Sequence, residues 1–283
     1  MKFRVARKAI LLGCPGTGKN FLSAVTYDLA NVKNFLLSNR GGRWFENEII
    51  TLYNPTITTA LNIIQAAIAD YVIVYFSGHG WANNNNEKFL RLKDGDIEDL
   101  LLLSQSPRQR VFIDACRKIP LHVISGLPEE ERYLHADGYY PARELFDKYI
   151  ISSPVGQTII HATAHDTKAY ANQTGSHFTE ALLNACYSVR AENNSPLNIT
   201  DVLNRASIDL AKKGSSQIPA ITYNTGNLQI PFGFGFVNPA VQNNHLQAIQ
   251  TIQKEYAAKR KSTHEDLVLL GIGLLLLVAT ADR

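Results

Sequence analysis

The amino-acid sequence predicts an α/β fold, built on a mostly parallel sheet with helices on both faces. The first observation is that short apolar runs alternate with amphipathic helical patterns along most of the chain. The second is the run YVIVYF at residues 71–76, which is apolar at every position, as is typical of a strand covered on both sides. Parallel strands joined by right-handed helical crossovers are the arrangement that this alternation favours.

The apolar runs are predicted as the strands of the sheet. They lie at residues 8–12, 48–52, 71–76, 110–113, 158–162 and 232–237. Helices are predicted where apolar residues recur at helical spacing, at residues 21–38, 57–69, 96–103, 177–191 and 199–212. The first helix is followed by two glycines, which form a helix stop. Residues 117–156 are charged and rich in turn residues, and they are predicted as a long connection.

The composition excludes several classes of protein. The chain has 283 residues, of which 45% are hydrophobic, so it can bury one large core or two modest ones. A net charge of +3 is too small to indicate a nucleic-acid partner. The three cysteines are far apart and odd in number, which indicates a reducing, cytoplasmic compartment rather than a disulfide framework. The first apolar run is too short for a secretory signal.

The last part of the chain differs from the rest, so two domains are predicted, residues 1–240 and residues 241–283. The second contains a polar helical stretch, the basic cluster Lys259, Arg260 and Lys261, and an uncharged segment from Leu267 to Ala281. As a helix this segment would span about 22 Å, against about 30 Å for a bilayer core. Two interpretations fit: a short membrane anchor beside a cytoplasmic basic cluster, or an apolar helix packed on protein.

Two residues that can act as a cysteine–histidine pair follow neighbouring predicted strands. His79 lies in SGHG after residues 71–76, and Cys116 lies in DACR after residues 110–113. In open α/β sheets the active site lies beyond the carboxyl ends of the strands. Histidine can take the proton of a thiol and return it to a leaving amine. A lone histidine is usually an ordinary surface or core residue, and a lone cysteine is usually a small buried hydrophobic residue. Because these two are predicted at the same edge of the sheet, a catalytic pair is the favoured interpretation.

Glycines flank the histidine and allow close approach of a substrate. The backbone N–H groups of Gly80 and Cys116 are therefore the predicted donors to the oxyanion that forms when the thiolate attacks a carbonyl.

The segment from Gly13 to Lys19 nearly matches a phosphate-binding loop, GxxxxGK[ST]. It follows a predicted strand and precedes a predicted helix, as such a loop does. The next residue is Asn20, where the motif requires a hydroxyl for magnesium. A turn-rich connection is the favoured interpretation, and a nucleotide-binding switch is the alternative function.

Four segments resemble the caspase-like cysteine peptidases, the clan that contains caspases, metacaspases and their bacterial relatives. They are residues 71–80 (YVIVYFSGHG), 110–117 (RVFIDACR), 16–36 and 175–183 (GSHFTEALL). The resemblance covers about residues 7–238 and leaves out the tail. It implies a caspase-like three-layer sandwich, a catalytic dyad of His79 and Cys116, and cleavage of peptide bonds in protein substrates without a cofactor or metal in the chemical step.

The resemblance also bears on the side chain that is recognised. Caspases carry Gln two residues before the nucleophile, where this chain has Asp114, and Lys118 replaces their glycine. In metacaspases an acidic residue at that position and another from the first helix line a pocket for Arg or Lys, which Asp114 and Asp28 match. A substrate cation would balance such a carboxylate. The alternatives are an internal pair of Asp114 with Arg117 and a solvated Asp28. Thr163 matches a cleft-lining residue.

The sequence is compatible with several modes of regulation. Residues 117–156 resemble the region that carries activation cleavages, and Arg132 and Arg143 are the candidate self-processing sites of a zymogen. Calcium activation, an activating partner, a homodimer and membrane contact through the tail are all compatible with the chain. Relatives in bacteria suggest a stress, cell-death or defence pathway. A non-catalytic scaffold recruited through its tail is a further alternative, disfavoured by the intact dyad.

Overall fold

The computed structural model describes residues 5–83, 87–116, 142–164, 169–172, 175–189, 195–226 and 228–235. The predicted second domain, residues 241–283, lies outside the described residues, as do its basic cluster and apolar segment. In the part of the chain that is described, no helix is long and apolar enough to cross a bilayer.

The strands, in chain order, are β1 (Arg7–Cys14), β2 (Ile49–Tyr53), β3 (Tyr71–Ala82), β4 (Lys88–Arg91), β5 (Asp96–Glu98), β6 (Arg108–Cys116), β7 (Gly156–His161), β8 (Ala171–Asn172), β9 (Gly175–Ser176), β10 (Ser195–Leu197), β11 (Ala220–Asn224) and β12 (Gly233–Gly235). The central sheet has the order β11-β7-β6-β3-β1-β2. Its pairs are parallel except for β11 with β7, and a hairpin of β4 and β5 extends antiparallel from the end of β3.

The helices are α1 (Ala24–Leu37), α2 (Ile57–Gln65), α3 (Ala142–Ser152), α4 (His177–Ser188) and α5 (Ile199–Lys212), and short 3-10 turns lie at Gly18–Asn20, Glu46–Glu48 and Asp99–Leu102. Polar side chains cap three of these helices: Thr56 before α2, Ser176 before α4 and Asn198 before α5. Each accepts a bond from a backbone N–H that has no partner within its helix.

The sheet is covered on both faces, as the apolar strands predicted. Along β3, Tyr71, Ile73 and Tyr75 pack into a core formed with α1, α3, α4 and α5. The alternate residues Val72 and Val74 pack into a second core formed with α2 and the β4–β5 hairpin. Because successive strand residues point to opposite faces, a strand between two cores must be apolar throughout. The predicted α/β fold with a mostly parallel sheet is confirmed.

Two predictions of secondary structure are wrong, the helix at residues 96–103 and the connection at residues 117–156. Residues 96–103 form β5 and a 3-10 turn instead of a helix. The pairing of β5 with β4 holds the backbone extended there, and Ile97 of β5 and Leu102 of the turn both join the second core. The long connection of residues 117–156 contains α3, whose Phe146 and Ile150 are fully buried. Residues 117–141 lie outside the described residues.

A buried ionic cluster joins the start of β1 to α3. The Arg7 side chain donates from Nε to Asp147 Oδ1 (2.7 Å) and lies over the Phe146 ring, 4.7 Å from its centroid. Arg143 donates from both terminal nitrogens to the Glu48 carboxylate, at 2.8 and 2.6 Å. Two cations and two anions meet here, so the cluster is neutral within the protein. Such pairing is what permits charges in a core.

Candidate active site

His79 and Cys116 lie on neighbouring strands, directly opposite each other. The parallel register of β3 and β6 pairs His79 with Cys116 and, two residues earlier, Ser77 with Asp114. Neighbouring strands are about 4.8 Å apart, so the two backbones lie within reach of a side-chain contact. β6 ends at Cys116 and β3 continues to Ala82, so the register places His79 and Cys116 opposite each other at the carboxyl end of β6.

The imidazole of His79 is oriented by the loop that follows β1. Its Nε2 lies 2.6 Å from the backbone carbonyl oxygen of Asn20. A carbonyl oxygen can only accept a hydrogen bond, so Nε2 carries the proton in this contact. In the neutral ring the other nitrogen, Nδ1, is then the basic one. The backbone of Asn20 therefore selects the tautomer in which Nδ1 can act as a base.

Gly16 makes the close approach of this loop possible. Its φ is +74°, and a Cβ added there would lie 2.8 Å from His79 Nε2. Both the left-handed backbone and the contact favour glycine. The glycine-rich segment that resembles a phosphate loop thus packs against a histidine. A phosphate loop opens a helix at its lysine, whereas Lys19 lies in a 3-10 turn and α1 begins only at Ala24.

Two buried carboxylates lie near the carboxyl ends of β3 and β6, and both accept hydrogen bonds from one residue, Ser176. Asp28 of α1 and Asp114 of β6 are 1% and 5% exposed. The backbone N–H of Ser176 donates to Asp28 Oδ1 at 2.8 Å, and the Ser176 hydroxyl donates to Asp114 Oδ2. The structure therefore brings the two predicted specificity residues together at the amino-terminal end of α4.

Hydroxyl groups complete the surroundings of this acidic pair. Ser77 donates to Asp28 Oδ2 at 2.8 Å, and Thr179 donates to Asp114 Oδ2 at 2.6 Å. The Tyr75 hydroxyl lies 2.5 Å from that of Thr179, which makes Tyr75 the donor of that bond. Among the described residues, no lysine or arginine forms a salt bridge with either carboxylate. The alternative of a solvated Asp28 is excluded by its burial.

Among the residues that the structure describes, no cation balances the acidic pair. Burial raises the pKa of Asp28 to about 8, the nearby charge of Asp114 raises it further, and the bonds from Ser176 and Ser77 only partly offset this. Burial also raises the pKa of Asp114, against the hydrogen bonds from Ser176 and Thr179. Two carboxylates that share a buried site without a cation resist ionisation. A positive group entering the site would relieve both effects.

Comparisons with known proteins fit this architecture. The family model described as "Caspase domain" matches residues 6–230. This chain belongs to the caspase-domain family. The crystal structure of caspase-1 from Spodoptera frugiperda superposes with a TM-score of 0.52, covering 77% of this chain and 86% of that chain at 17% identity, which shows a shared fold. No curated protein sequence matches the chain. The protein is a cysteine-type endopeptidase, a hydrolase of protein substrates.

The other cysteines of this caspase domain are not suited to nucleophilic chemistry. Cys14 and Cys186 are free, and both are buried. Burial raises the pKa of Cys14 to about 12 and that of Cys186 further still. Because the thiolate is the reactive form, both thiols are inert at neutral pH.

The remaining predicted residues occupy distinct places in the caspase domain. Thr163 follows β7, is 1% exposed and donates to the carbonyl of Ala164 at 3.3 Å. His161 is a core residue whose Nε2 lies 2.9 Å from Asp99 Oδ2. Arg143 lies in the first turn of α3, while Arg132 is outside the described residues. Within the described parts, no group of His, Cys, Asp and Glu is arranged to hold a metal ion.

Sequence reasoning missed several contributors to the site. The Asn20 carbonyl belongs to the backbone and leaves no signal in the sequence. The glycines before it do indicate a loop whose backbone packs closely against another part of the protein. Ser77, Ser176 and Thr179 are ordinary residues for a strand end and a helix start. Their hydroxyls become functional only because the fold directs them at Asp28 and Asp114.

Proposed function

We propose that this caspase domain cleaves peptide bonds after Arg or Lys, with Cys116 as nucleophile and His79 as base. The observation that supports it best is the acidic pair of Asp28 and Asp114. Two buried carboxylates lie at the dyad edge, their described partners are hydroxyl and N–H groups, and both have raised pKa values. A buried acidic pair ionises readily only beside a cation, and the side chain before the scissile bond can supply it.

The proposed reaction uses the tautomer that Asn20 selects. Nδ1 of His79 accepts the thiol proton, and the Cys116 thiolate attacks the carbonyl carbon of the scissile bond. The N–H groups of Gly80 and Cys116 stabilise the resulting oxyanion. Protonated His79 then gives its proton to the departing amine, which leaves a thioester on Cys116. Water, deprotonated by His79, hydrolyses the thioester and releases the acid product.

The position of the acidic pair fits the side chain of the residue whose carbonyl is attacked. Ser77 bonds Asp28 and lies two residues before His79 on the same face of β3. Asp114 precedes Cys116 by the same interval on β6. A guanidinium or ammonium group lying against both carboxylates would donate hydrogen bonds to their oxygens, each of which can accept more than one. Thr163, beyond β7, is proposed to line the same cleft.

The test is cleavage of peptides that carry Arg, Lys or Asp before a fluorogenic amide. We expect cleavage after Arg and Lys, and a fall on the order of 10⁴-fold or more in Cys116→Ala, because the reaction loses its nucleophile. Cys186→Ala is the matched control, since it removes a buried, inert thiol from the core. Cleavage after Asp would leave the dyad in place and refute the pocket. Activity that survives in Cys116→Ala would refute the dyad.

Self-processing is proposed at Arg132, with Arg143 as a second site. Arg143 lies in helix α3 with its guanidinium bound to Glu48, so cleavage there requires the first turn of α3 to open. We therefore expect Arg132→Ala to suppress self-cleavage more than Arg143→Ala does, as measured by intact mass over time. The reverse order would show that α3 opens before processing.

Regulation by a partner or by homodimer formation is part of the same proposal. The free thiols Cys14 and Cys186 suit a cytoplasmic enzyme. A regulated stress, cell-death or defence pathway is the setting that the family resemblance suggests, with the tail as a candidate contact for membrane or protein.

A further inference from the structure

A stacked aromatic pair lies on the strand that carries His79, just beyond the histidine. Trp81 of β3 and Phe89 of β4 are opposite each other in the antiparallel register. Their ring centroids are 4.4 Å apart and their planes differ by 18°. Trp81 is 43% exposed, although the first eight residues of its strand are buried. An indole that is stacked on one side and open to solvent elsewhere offers an apolar surface.

The indole is held in position by polar contacts at its edge. Trp81 Nε1 donates to Asp96 Oδ2 at 3.1 Å, and Arg91 donates to the same oxygen at 3.0 Å. With its N–H satisfied and one face against Phe89, the ring has a fixed orientation before any ligand arrives. A rigid aromatic surface binds an apolar group at little cost in conformational entropy. We refer to Trp81 and Phe89 together as the aromatic platform.

The order of groups along β3 relates the platform to the substrate. Ser77, His79 and Trp81 alternate with residues of the opposite face, so they lie on one face at steps of about 7 Å. Ser77 bonds Asp28 of the acidic pair, and His79 is the proposed base. Along β3, Ser77 therefore marks the side of the acidic pair, His79 lies next, and Trp81 of the aromatic platform lies on the opposite side of His79.

Proton transfer fixes which part of the substrate reaches this side. His79 must contact the departing amine, which belongs to the first residue after the scissile bond. An extended peptide advances about 3.4 Å per residue, so the second residue after the scissile bond extends from about 3.4 to about 7 Å beyond the departing nitrogen, and the step from His79 to Trp81 is about 7 Å. The side chain next to Trp81 is then that of the second residue after the scissile bond.

We propose that the aromatic platform is a specificity subsite for that second residue, with preference for a large apolar or aromatic side chain. The inference rests on the proposed function, because it takes His79 as the group that protonates the leaving amine. Aromatic side chains bind one another in stacked or edge arrangements beyond the effect of buried area alone. A glutamate at this position of the substrate would gain nothing from the indole.

The experiment uses two kinds of substrate with the full chain. A fluorogenic Arg amide, which has no residue after the reporter amine, tests the proposed function alone. Internally quenched peptides with Arg before the scissile bond, identical except for Phe, Ala or Glu at the second following residue, test the platform. In the wild type we expect kcat/KM for Phe to exceed that for Ala about tenfold, equivalent to ~1.4 kcal/mol, with Glu no better than Ala.

Variants locate the preference on the platform. We expect the Phe-to-Ala ratio to fall to about one in Trp81→Ala and to persist in Trp81→Phe, which keeps a stacked ring. Tyr187→Ala is the matched control, because Tyr187 is equally exposed, at 43%, but lies near the far end of α4. The ratio is internal to each protein, so a change in overall activity does not alter its meaning.

Each outcome decides between the two claims. Loss of the ratio in Trp81→Ala with retention in Tyr187→Ala supports the platform. Equal wild-type rates for Phe and Ala, with the Arg amide cleaved, overturn the platform and leave the proposed function intact. Failure to cleave the Arg amide refutes the proposed function. Should Trp81→Ala fail to fold, a Phe preference that survives unchanged in both Trp81→Leu and Phe89→Ala would overturn the platform.

Discussion

The caspase domain buries charge in two places that differ in how the charge is balanced. At the amino end of β1, Arg7 and Arg143 face Asp147 and Glu48, and positive and negative groups are equal in number. At the carboxyl ends of β3 and β6, Asp28 and Asp114 face only neutral donors among the described residues. The first cluster is balanced within the fold, whereas the second has no cation among the described residues.

The pKa shifts of the carboxylates follow from this difference. Burial acts to raise the pKa of Glu48, but hydrogen bonds from Arg143 and from the Phe45 N–H outweigh it, and the pKa is lowered. For Asp28, burial acts together with a like charge, and the pKa is raised. An ionised carboxylate that is paired with a protein cation stabilises the folded state. A buried ionised carboxylate without a cation lowers the free energy of unfolding. Sites of this second kind are frequently functional.

The largest expected effect comes from neutralising the acidic pair. In Asp114→Asn we expect kcat/KM for an Arg peptide to fall at least about 100-fold, because the substrate cation would lie buried with half its counter-charge. Peptide cleavage with Arg and with a neutral residue such as Met before the scissile bond measures it, and the loss should be much smaller for Met. A change of less than about threefold for Arg would show that the pair does not bind the substrate cation.

Neutralising Glu48, in the ionic cluster of Arg7, Arg143, Asp147 and Glu48, should lower stability and leave substrate preference unchanged. In Glu48→Gln we expect the free energy of unfolding to fall by ~2 kcal/mol, because the Arg143 guanidinium loses its charged partner in a partly buried site. Urea unfolding measures it, with Asp201→Asn on the exposed side of α5 as the control. The ratio of Arg to Met cleavage should stay as in the wild type. A large change in that ratio would mean that the two clusters are not independent.

The sequence predicted the parts of this fold that depend on local pattern. The strands β1, β3, β6 and β7 follow from apolar runs, and the placement of His79 and Cys116 on neighbouring strands follows from the positions of these runs. Helix α3 was missed because only one stripe of it is apolar, within a charged and turn-rich region. The β5 strand was mistaken for a helix because its pairing with β4 overrides local spacing. The edge strand β11 was missed, since its residues are only partly buried.

For the site, the sequence predicted residue types but not their partners. Asp28 and Asp114 are 86 positions apart by their residue numbers, and only the fold brings both to Ser176. The family resemblance, not the spacing, paired them. The Asn20 carbonyl that orients His79 belongs to the backbone, and any residue type could supply it. Contacts of this kind become visible only in three dimensions.

The smallest expected effect is a pH dependence that carries opposite signs in the two clusters. The pKa of Asp28 rises from 3.8 to about 8 on folding, so the folded state binds more protons than the unfolded state between these values. Stability from Asp28 is therefore present below about pH 4 and is lost as the pH rises through about 8. For Glu48 the pKa is lowered, so its stability is present at neutral pH and is lost as the pH falls.

Melting temperatures of wild type and Asp28→Asn between pH 5 and 8.5, both in a Cys116→Ala background that prevents self-cleavage, separate these contributions. We expect the melting temperature of the wild type to fall relative to that of Asp28→Asn as the pH rises, and each kcal/mol of lost stability lowers it by about 2–4 °C in a domain of this size. Asp201→Asn should follow the wild type. If instead wild type and Asp28→Asn run parallel across the range, Asp28 is already balanced in the free protein, and the contrast between the two clusters fails at its central residue.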